Sequence, residues 1–216
     1  MKPAGRFPGK PKTKSETHKM GIKDIAARIG QARANGGGNY LKDGRGIGIV
    51  KALKQENLHK GETFIAELLI ESSEASGEVN PDGTSVGPPN PPGSTVSMIQ
   101  QFEEFPETAF NNTKTFIYVL MGETDESMAA AAIETQKAMA KAGKPKAEID
   151  AWDAAEEFAA AYTRLTSAEN PARGMRIRFE TFRKMTKTTR KMLTLPRWET
   201  VQQTVEEIQS NRQKLG

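Results

Sequence analysis

The chain has 216 residues, of which 36% are hydrophobic and 27% charged, and its formal net charge is +4. The low hydrophobic share predicts segments outside a packed core. The absence of cysteine excludes disulfides, thiolate zinc sites and cysteine nucleophiles, and it is typical of proteins in a reducing compartment. No apolar run approaches the roughly 18 residues of a membrane span, and the basic N-terminus lacks the apolar stretch of a signal peptide, so we expect a cytoplasmic protein.

The first 38 residues are predicted to form a basic arm outside the core. Residues 1–20 are rich in Pro, Gly and Lys and are expected to be disordered, because they contain almost nothing to bury. Residues 21–34 place three isoleucines at helical spacing, which predicts a short amphipathic helix that ends at the following Asn-Gly-Gly-Gly run.

Three strands are predicted next. Residues 45–53 alternate isoleucine with small or polar neighbours, and the glycines among them suit a bulged, strongly curved strand. Residues 63–71 and 94–101 form the second and third strands. The second strand has one apolar face, made of Phe64, Ala66, Leu68 and Ile70. Residues 72–93 are rich in Ser, Gly, Pro and Asn and predict a long, mobile loop.

A helical region is predicted between the third and fourth strands. Residues 110–121 carry an apolar helical face that ends at Gly122. The members of this face are Phe116, Ile117, Leu120 and Met121. Residues 123–168 form an acidic insert rich in Ala, Glu and Lys, in which residues 125–142 and 146–165 predict one or two further helices and Trp152 serves as a packing anchor.

Two strands are predicted near the C-terminus. Residues 175–180 alternate apolar with charged side chains, and residues 192–201 form a last strand in which Pro196 indicates an edge or a bulge. The basic residues 183–191 between them are expected to form a hairpin loop. Residues 202–216 are expected to be a tail containing a short helix or a frayed end.

This order of elements predicts an α+β fold with a mainly β core. Five strands with a helix between the third and fourth follow the plan of the OB-fold, a partly open five-stranded barrel that binds oligonucleotides. We therefore expect a five-stranded OB-like barrel over residues 39–201, with the helical insertion between strands three and four and a disordered basic N-terminus.

Charge is strongly segregated along the chain. Residues 1–33 contain nine Lys or Arg against two acids, and residues 173–197 contain nine against Glu180 alone. Residues 61–122 contain nine acids against Lys114 alone. Two basic segments around an acidic middle predict a basic face for a polyanion, although the same blocks would also pair with each other within the fold.

Several pieces of the chain resemble phage single-stranded DNA-binding proteins with an OB-type core. They are NYLKDG at 39–44, KGETF at 60–64, PGSTVS at 92–97, NTKTF at 112–116, and the last hairpin from RGM at 173–175 to RW at 197–198. The resemblance implies binding and protection of single-stranded DNA in phage-type replication or recombination, in the host cytoplasm. The C-terminus lacks the acidic tail of many such proteins, which puts tail-mediated recruitment of partners in doubt.

Single strands are held by cations on phosphates and by aromatic rings on bases. We expect phosphate contacts from the last hairpin through Arg173, Arg176, Arg178, Arg183, Lys184, Lys187, Arg190, Lys191 and Arg197. Cations on or beside the first two strands would extend the same groove, namely Lys42, Arg45, Lys51, Lys54 and Lys60. The aromatic candidates for stacking are Tyr40, Phe64, Phe102, Phe182 and Trp198. Of these we assign Phe64 to the core, and we favour Phe182 and Trp198 for stacking. A solvated charged face is the alternative for the cations.

Signals of catalysis are weak, so we expect no enzyme activity and no cofactor. Carboxylates at Glu103, Glu104 and Glu107, or at Glu67 and Glu71, would suit Mg²⁺, but no His or Asp stands at ligand spacing with them. A solvated acidic edge is favoured instead. The sequence contains no Walker loop, dinucleotide fingerprint or nucleophile elbow.

Three classes of function stay open at this stage. The first is sequence-independent binding of single-stranded DNA, with RNA as a further ligand because stacking and phosphate contacts hardly distinguish the two. The second is an assembly protein whose basic tail docks an acidic partner, and the third, ranked last, is a metal-dependent nuclease. The acidic insert is expected to compete with DNA for the basic hairpin, so that deleting residues 125–168 would tighten binding.

Overall fold

The computed structural model describes residues 39–59, 61–79, 86–103, 106–185 and 192–216. In these ranges the chain forms five strands and five helices. The strands are β1 (Arg45–Leu58), β2 (Gly61–Glu74), β3 (Thr95–Gln101), β4 (Arg176–Met185) and β5 (Met192–Thr200). The helices are α1 (Pro106–Met121), α2 (Asp125–Lys141), α3 (Lys146–Ala151), α4 (Ala154–Thr166) and α5 (Val205–Lys214). The α+β class and the order of elements are confirmed.

The five strands form one antiparallel sheet in the order β3-β2-β1-β4-β5. The sheet is open, because no pairing joins β3 to β5 among the described residues. Residues 39–41 run along the outer edge of β3 instead. The amide of Ser97 donates to the Asn39 carbonyl (2.8 Å), and the Leu41 amide donates to the Ser97 carbonyl (3.4 Å). The expected barrel is therefore present only as an open five-stranded sheet.

The curvature expected of β1 is visible as two irregularities in its pairing with β2. The register shifts between Ile47 and Gly48 and again between Val50 and Ala52. A Cβ atom on Gly46 would collide with the Ser72 carbonyl oxygen, so this approach of the two strands requires glycine. Bulges bend a strand and increase its twist, which explains why the glycine-rich sequence still forms a strand.

The hydrophobic core lies between one face of the sheet and helices α1 and α4. The predicted apolar face of β2 is confirmed, because Phe64, Ala66 and Leu68 are fully buried and Ile70 nearly so. From the helices the core receives Phe116, Ile117, Leu120 and Leu165. The ring of Phe64 lies 5.9 Å from that of Phe116, centroid to centroid. Burial of these side chains from two layers supplies the main stabilisation of the fold.

The acidic insert forms three helices and not the one or two expected, because the predicted second helix is divided at Trp152. Helix α2 begins with a capping box, in which Thr124 accepts from the Ser127 amide and Ser127 accepts from the Thr124 amide. The chain then breaks at Trp152, and Asp153 caps α4 by accepting from two backbone amides. The indole of Trp152 donates to Glu157 (2.8 Å), and its carbonyl accepts from Gln136 of α2 (2.6 Å). Trp152 thus links the helices through hydrogen bonds, and its role as a packing anchor stays a prediction.

The C-terminal segment is a docked helix and not a frayed tail. Asn211 of α5 is 1% exposed, and its side-chain amide donates to the Gly174 carbonyl (3.0 Å). The guanidinium of Arg212 donates to the carbonyls of Arg173 (2.7 Å) and Pro171 (2.8 Å). Gly174 has φ +89° and a side chain there would meet the Ile208 carbonyl at 2.6 Å. This close approach extends the packed fold beyond the expected boundary at residue 201.

Two expected loops are shorter than predicted. Strand β2 continues to Glu74, and β4 continues to Met185, so residues 72–74 and 183–185 belong to the sheet. The end of the 72–93 segment is also fixed, since the buried Asn90 side chain accepts from the Lys42 amide (2.7 Å) and donates to the Tyr40 carbonyl (3.1 Å). The basic arm 1–38 and the hairpin residues 186–191 lie outside the described residues. Among the helices that the structure describes, none is long and apolar enough to span a bilayer.

Candidate nucleic-acid interface

The face of the sheet opposite the helices, here called the outer sheet face, carries charges that alternate across the strands. In one row Arg45 of β1 lies between Glu74 of β2 and Glu180 of β4, and Glu180 lies beside Arg197 of β5. In the next row Arg178 lies beside Glu199. Opposite charges directly across an antiparallel pair attract each other, so this arrangement stabilises the register.

A groove of about 360 Å³ follows this outer sheet face. Its charged lining consists of three arginines and three glutamates, namely Arg45, Arg178, Arg197, Glu74, Glu180 and Glu199. The guanidinium of Arg45 lies 3.0 Å from Glu74 and that of Arg178 lies 3.5 Å from Glu199, in pairs that are well exposed. The groove is therefore charge-balanced, and its ion pairs are of the exposed kind that contributes little to stability.

Arg176 is held by the fold more firmly than its neighbours on β4. Its guanidinium contacts Glu71 at 2.8 Å and Glu207 at 3.4 Å, which joins β4 to β2 and to α5. The hydrogen bond to Glu71 raises the pKa of Arg176 above its usual value. Pairing of the basic and acidic blocks within the fold, the alternative left open by the sequence, therefore applies to this residue.

Arg183 and Lys54 are likewise paired with buried carboxylates. The Arg183 side chain donates to Asp43 (2.6 Å), while its backbone amide donates to Glu78 (3.0 Å). The ammonium of Lys54 lies 3.0 Å from the carboxylate of Glu67. Both carboxylates are almost completely buried, so these two cations compensate charges that the fold has taken out of water.

The remaining predicted cations of the described residues are spread over the surface. Arg173 donates to the terminal Gly216 carbonyl (2.8 Å), close to α5. Lys42 is exposed beside Tyr40, and Lys51 is half-buried at the β1 bulge. Arg197 is exposed and stacks on the ring of Phe182, at 4.8 Å from its centroid. The predicted cations whose side chains the structure describes thus do not form one continuous basic face, and Lys60 lies outside the described residues.

The assignment of Trp198 to base stacking is wrong. Its side chain is 7% exposed and packs edge-on against Phe116 at 4.9 Å and against Phe179 at 6.4 Å. Trp198 lies directly opposite Phe179 in the β4–β5 register, so strand alternation sends it into the core while Arg197 and Glu199 face outward. Phe182 is half-buried under Arg197, whereas Tyr40 is 55% exposed.

The β4–β5 hairpin extends beyond the sheet as a two-stranded ribbon. Strand β1 pairs with β4 only as far as Glu180, but β4 and β5 remain paired to Met185 and Met192. The paired residues 181–185 and 192–196, together with the sequence 186–191 that joins them, are here called the basic ribbon. Between positions 183 and 191 the sequence contains five cations and no acid, namely Arg183, Lys184, Lys187, Arg190 and Lys191. Of these, Lys187, Arg190 and Lys191 lie outside the described residues.

A second groove, here called the aromatic groove, lies between the end of β3 and helices α1 and α4. It measures about 420 Å³, and its ring-bearing walls are Phe102, Phe110, Phe158 and Tyr162. Phe102 and Phe110 stack almost parallel, with centroids 4.6 Å apart. The sequence analysis identified Phe102 as a stacking candidate but did not identify Phe110. The two residues meet only because the chain turns between β3 and α1, and that turn leaves no periodic signal.

The aromatic groove also contains two polar atoms that are out of water. Thr113 is 3% exposed, and neither its hydroxyl nor that of Tyr162 finds a hydrogen-bond partner among the described residues. Burial, followed by the nearby charge of Glu62, raises the pKa of Tyr162 to about 12. Buried hydroxyls are usually satisfied, so these two are exceptions, and each oxygen lies behind the groove wall with less than 1 Å² exposed.

Neither the arrangement of possible metal ligands nor similarity to other proteins assigns a function to these surfaces. Over the ranges that the structure describes, no group of three or more His, Asp or Glu side chains is arranged to hold a metal ion. Comparisons of the chain with family models, curated proteins and solved structures give no match. The resemblance to phage single-stranded DNA-binding proteins therefore stays a prediction from the residues.

Proposed function

We propose that the protein binds single-stranded DNA without sequence preference and protects it during replication or recombination. The observation that carries this proposal is the basic ribbon, a two-stranded extension of β4 and β5 whose tip sequence holds five cations and no acid. Cations that neutralise phosphates release counterions from the strand, and this supplies affinity that does not depend on sequence.

The fold supports the proposal through the position of this ribbon. The proposal is supported by five antiparallel strands with a helix after the third, an order that fits an OB-like plan loosely because the sheet is not closed. In that fold, oligonucleotides bind to the strand 2–3 face and to the loops between strands 1 and 2 and between strands 4 and 5. The cations of the sequence 183–191 lie at or between the ends of β4 and β5, so the charge pattern favours the second of these loops.

The outer sheet face gives a second, weaker set of contacts. Arg45, Arg178 and Arg197 are exposed, and the ion pairs of Arg45 with Glu74 and of Arg178 with Glu199 cost little to exchange for phosphate. Tyr40 offers an exposed ring beside β3. We infer that a bound strand is anchored on the ribbon and passes the outer sheet face with fewer strong contacts.

The test is a fluorescence-anisotropy titration of labelled oligo-dT at two salt concentrations, with duplex DNA as competitor. The proposal predicts micromolar or tighter binding at low salt, a steep loss of affinity as salt is added, and no displacement by duplex. Absence of binding at low salt would contradict it and would favour an assembly protein with an acidic protein partner. Effective displacement by duplex would contradict the preference for single strands.

A further inference from the structure

We propose that the guanidinium of Arg197, which lies on the ring of Phe182 where the basic ribbon leaves the sheet, is a platform on which an unpaired base of the bound strand stacks. This inference rests on the proposed function, and it names the contact through which the protein would select single strands over duplex. Arg197 would determine this specificity, while the cations of the ribbon supply most of the affinity.

Arg197 differs from the other two arginines of the groove on the outer sheet face. Those two guanidiniums each lie beside a glutamate. Over the ranges that the structure describes, the Arg197 side chain makes neither an ion pair nor a hydrogen bond, although Glu180 lies directly across from it on β4. Its contact is instead with the ring of Phe182, whose centroid lies 4.8 Å from the guanidinium carbon. The fold therefore orients this guanidinium by a ring and not by an acid.

The two faces of the Arg197 guanidinium have different surroundings. Phe182 and Arg197 are diagonal neighbours on the outer sheet face, because Phe182 pairs with Leu195 and Glu180 pairs with Arg197. The Phe182 ring is half-buried and does not line the groove, whereas Arg197 is exposed and does line it. One face of the guanidinium is thus covered by the ring, and the opposite face borders the open groove. A base placed on that open face would complete a stack of three layers.

The charges of this groove favour a neutral ring over a phosphate at Arg197. Three glutamates balance the three arginines of the lining, so the groove as a whole does not attract an anion. Glu180 and Glu199 flank Arg197 on the two strands and would repel a phosphate placed on it. A base carries no charge, and guanidinium planes are stacking surfaces for unpaired bases. The base is therefore assigned to Arg197 and the phosphates to the cations of the ribbon.

Stacking on Arg197 would give the protein a preference for single strands. Phosphate contacts supply little discrimination of this kind, because single strands and duplex both present phosphates. In a duplex each base is covered above and below by its neighbours, and freeing one requires unstacking and unpairing. A base of a single strand offers a face to the guanidinium without breaking a base pair.

Anisotropy titrations at low salt with two labelled strands of equal length, oligo-dT and a strand of abasic sugars, test this contact. Arg197→Lys keeps the charge and removes the planar stacking surface, and the control Arg164→Lys makes the same exchange at an exposed arginine on α4. We expect wild-type protein and Arg164→Lys to bind oligo-dT more tightly than the abasic strand. In Arg197→Lys the ratio of the two dissociation constants should fall by about two- to fivefold, through weaker binding of oligo-dT alone.

The outcomes separate this inference from the proposed function. An unchanged ratio in Arg197→Lys, or an equal loss of affinity for both strands, would overturn the platform and leave single-strand binding intact. Equal binding of the two strands by wild-type protein would overturn it as well. No binding of oligo-dT at low salt would contradict the proposed function itself, and this inference with it.

Nuclear magnetic resonance of the arginine side chains observes the stack directly. The Nε–H signal of Arg197, identified by its loss in Arg197→Lys, should move upfield when oligo-dT is added, because a base above the guanidinium shields that proton. The abasic strand should cause no upfield shift, and the Arg164 signal should stay in place with both strands. Absence of the upfield shift, or a downfield shift with both strands as a phosphate contact would cause, would overturn the proposal.

Discussion

The two halves of β4 look alike in sequence but have different surroundings in the fold. Within the sheet, Arg176 and Arg178 lie next to carboxylates from β2, β5 and α5. Past Glu180, β1 no longer pairs with β4, and Thr181 and Arg183 are tied instead to Gly44 and Asp43, just before β1. The same basic run in the sequence is therefore neutralised by different acids along its length, and sequence clustering by itself does not reveal this.

The largest expected effect concerns the aromatic residues on the two sides of the boundary between the sheet and the basic ribbon. Trp198→Ala, in the sheet, should lower the free energy of unfolding by about 3–5 kcal/mol, because the indole packs against Phe116 and Phe179. Phe182→Ala, in the ribbon, should cost less than half as much, since its ring is only half-buried under Arg197. Urea denaturation of both variants measures the difference, and equal losses would contradict the placement of Trp198 in the core.

The next effect tests where the ribbon is anchored to the sheet. Arg183→Ala should lower the free energy of unfolding by roughly 2 kcal/mol, because the buried carboxylate of Asp43 loses its guanidinium partner. The loss is expected to be smaller than for a fully buried pair, since the Arg183 side chain is partly exposed. The double variant Asp43→Asn/Arg183→Ala should recover part of this loss, since it removes the unpaired charge. Thermal unfolding of the two proteins decides this, and an identical stability would mean that the pair does not anchor the ribbon.

The smallest effect is expected on the outer sheet face. Arg178→Ala should change the free energy of unfolding by no more than about 0.5 kcal/mol, because its pair with Glu199 is exposed on both sides. Its affinity for oligo-dT should stay within about threefold of wild type, which is a smaller change than the loss of one firm charged contact would cause. A tenfold loss of affinity in an anisotropy titration would show that the balanced face, and not the ribbon, is the main contact.

Periodic patterns in the sequence were sufficient for the elements and for much of the core. Alternation at period two identified the buried face of β2, and helical spacing identified Phe116, Ile117 and Leu120. These patterns work because a strand or helix must bury one side against the other layer of the fold. Charged and aromatic contacts between distant segments have no such period.

The candidate sites depend on those distant contacts. Arg176 and Glu71 are 105 residues apart, and Arg183 and Asp43 are 140 apart, so nothing local indicates that they meet. The sequence near Pro196 does not decide which face of β5 carries the Trp198 side chain. Only the register with Phe179 shows that this side chain points inward. Phe110 joins Phe102 through a change from strand to helix, where one periodicity gives way to another.

The most direct test of the ribbon as the main contact compares two variants in one oligo-dT titration at low and moderate salt. The ribbon variant carries Lys184→Ser, Lys187→Ser, Arg190→Ser and Lys191→Ser, and the sheet-face variant carries Arg45→Ser, Arg178→Ser and Arg197→Ser. The account predicts that the ribbon variant loses at least about tenfold in affinity and that its salt dependence becomes shallower by about 2–3 in the logarithmic slope, as four lost phosphate contacts require. A larger loss in the sheet-face variant, or an unchanged ribbon variant, would contradict it.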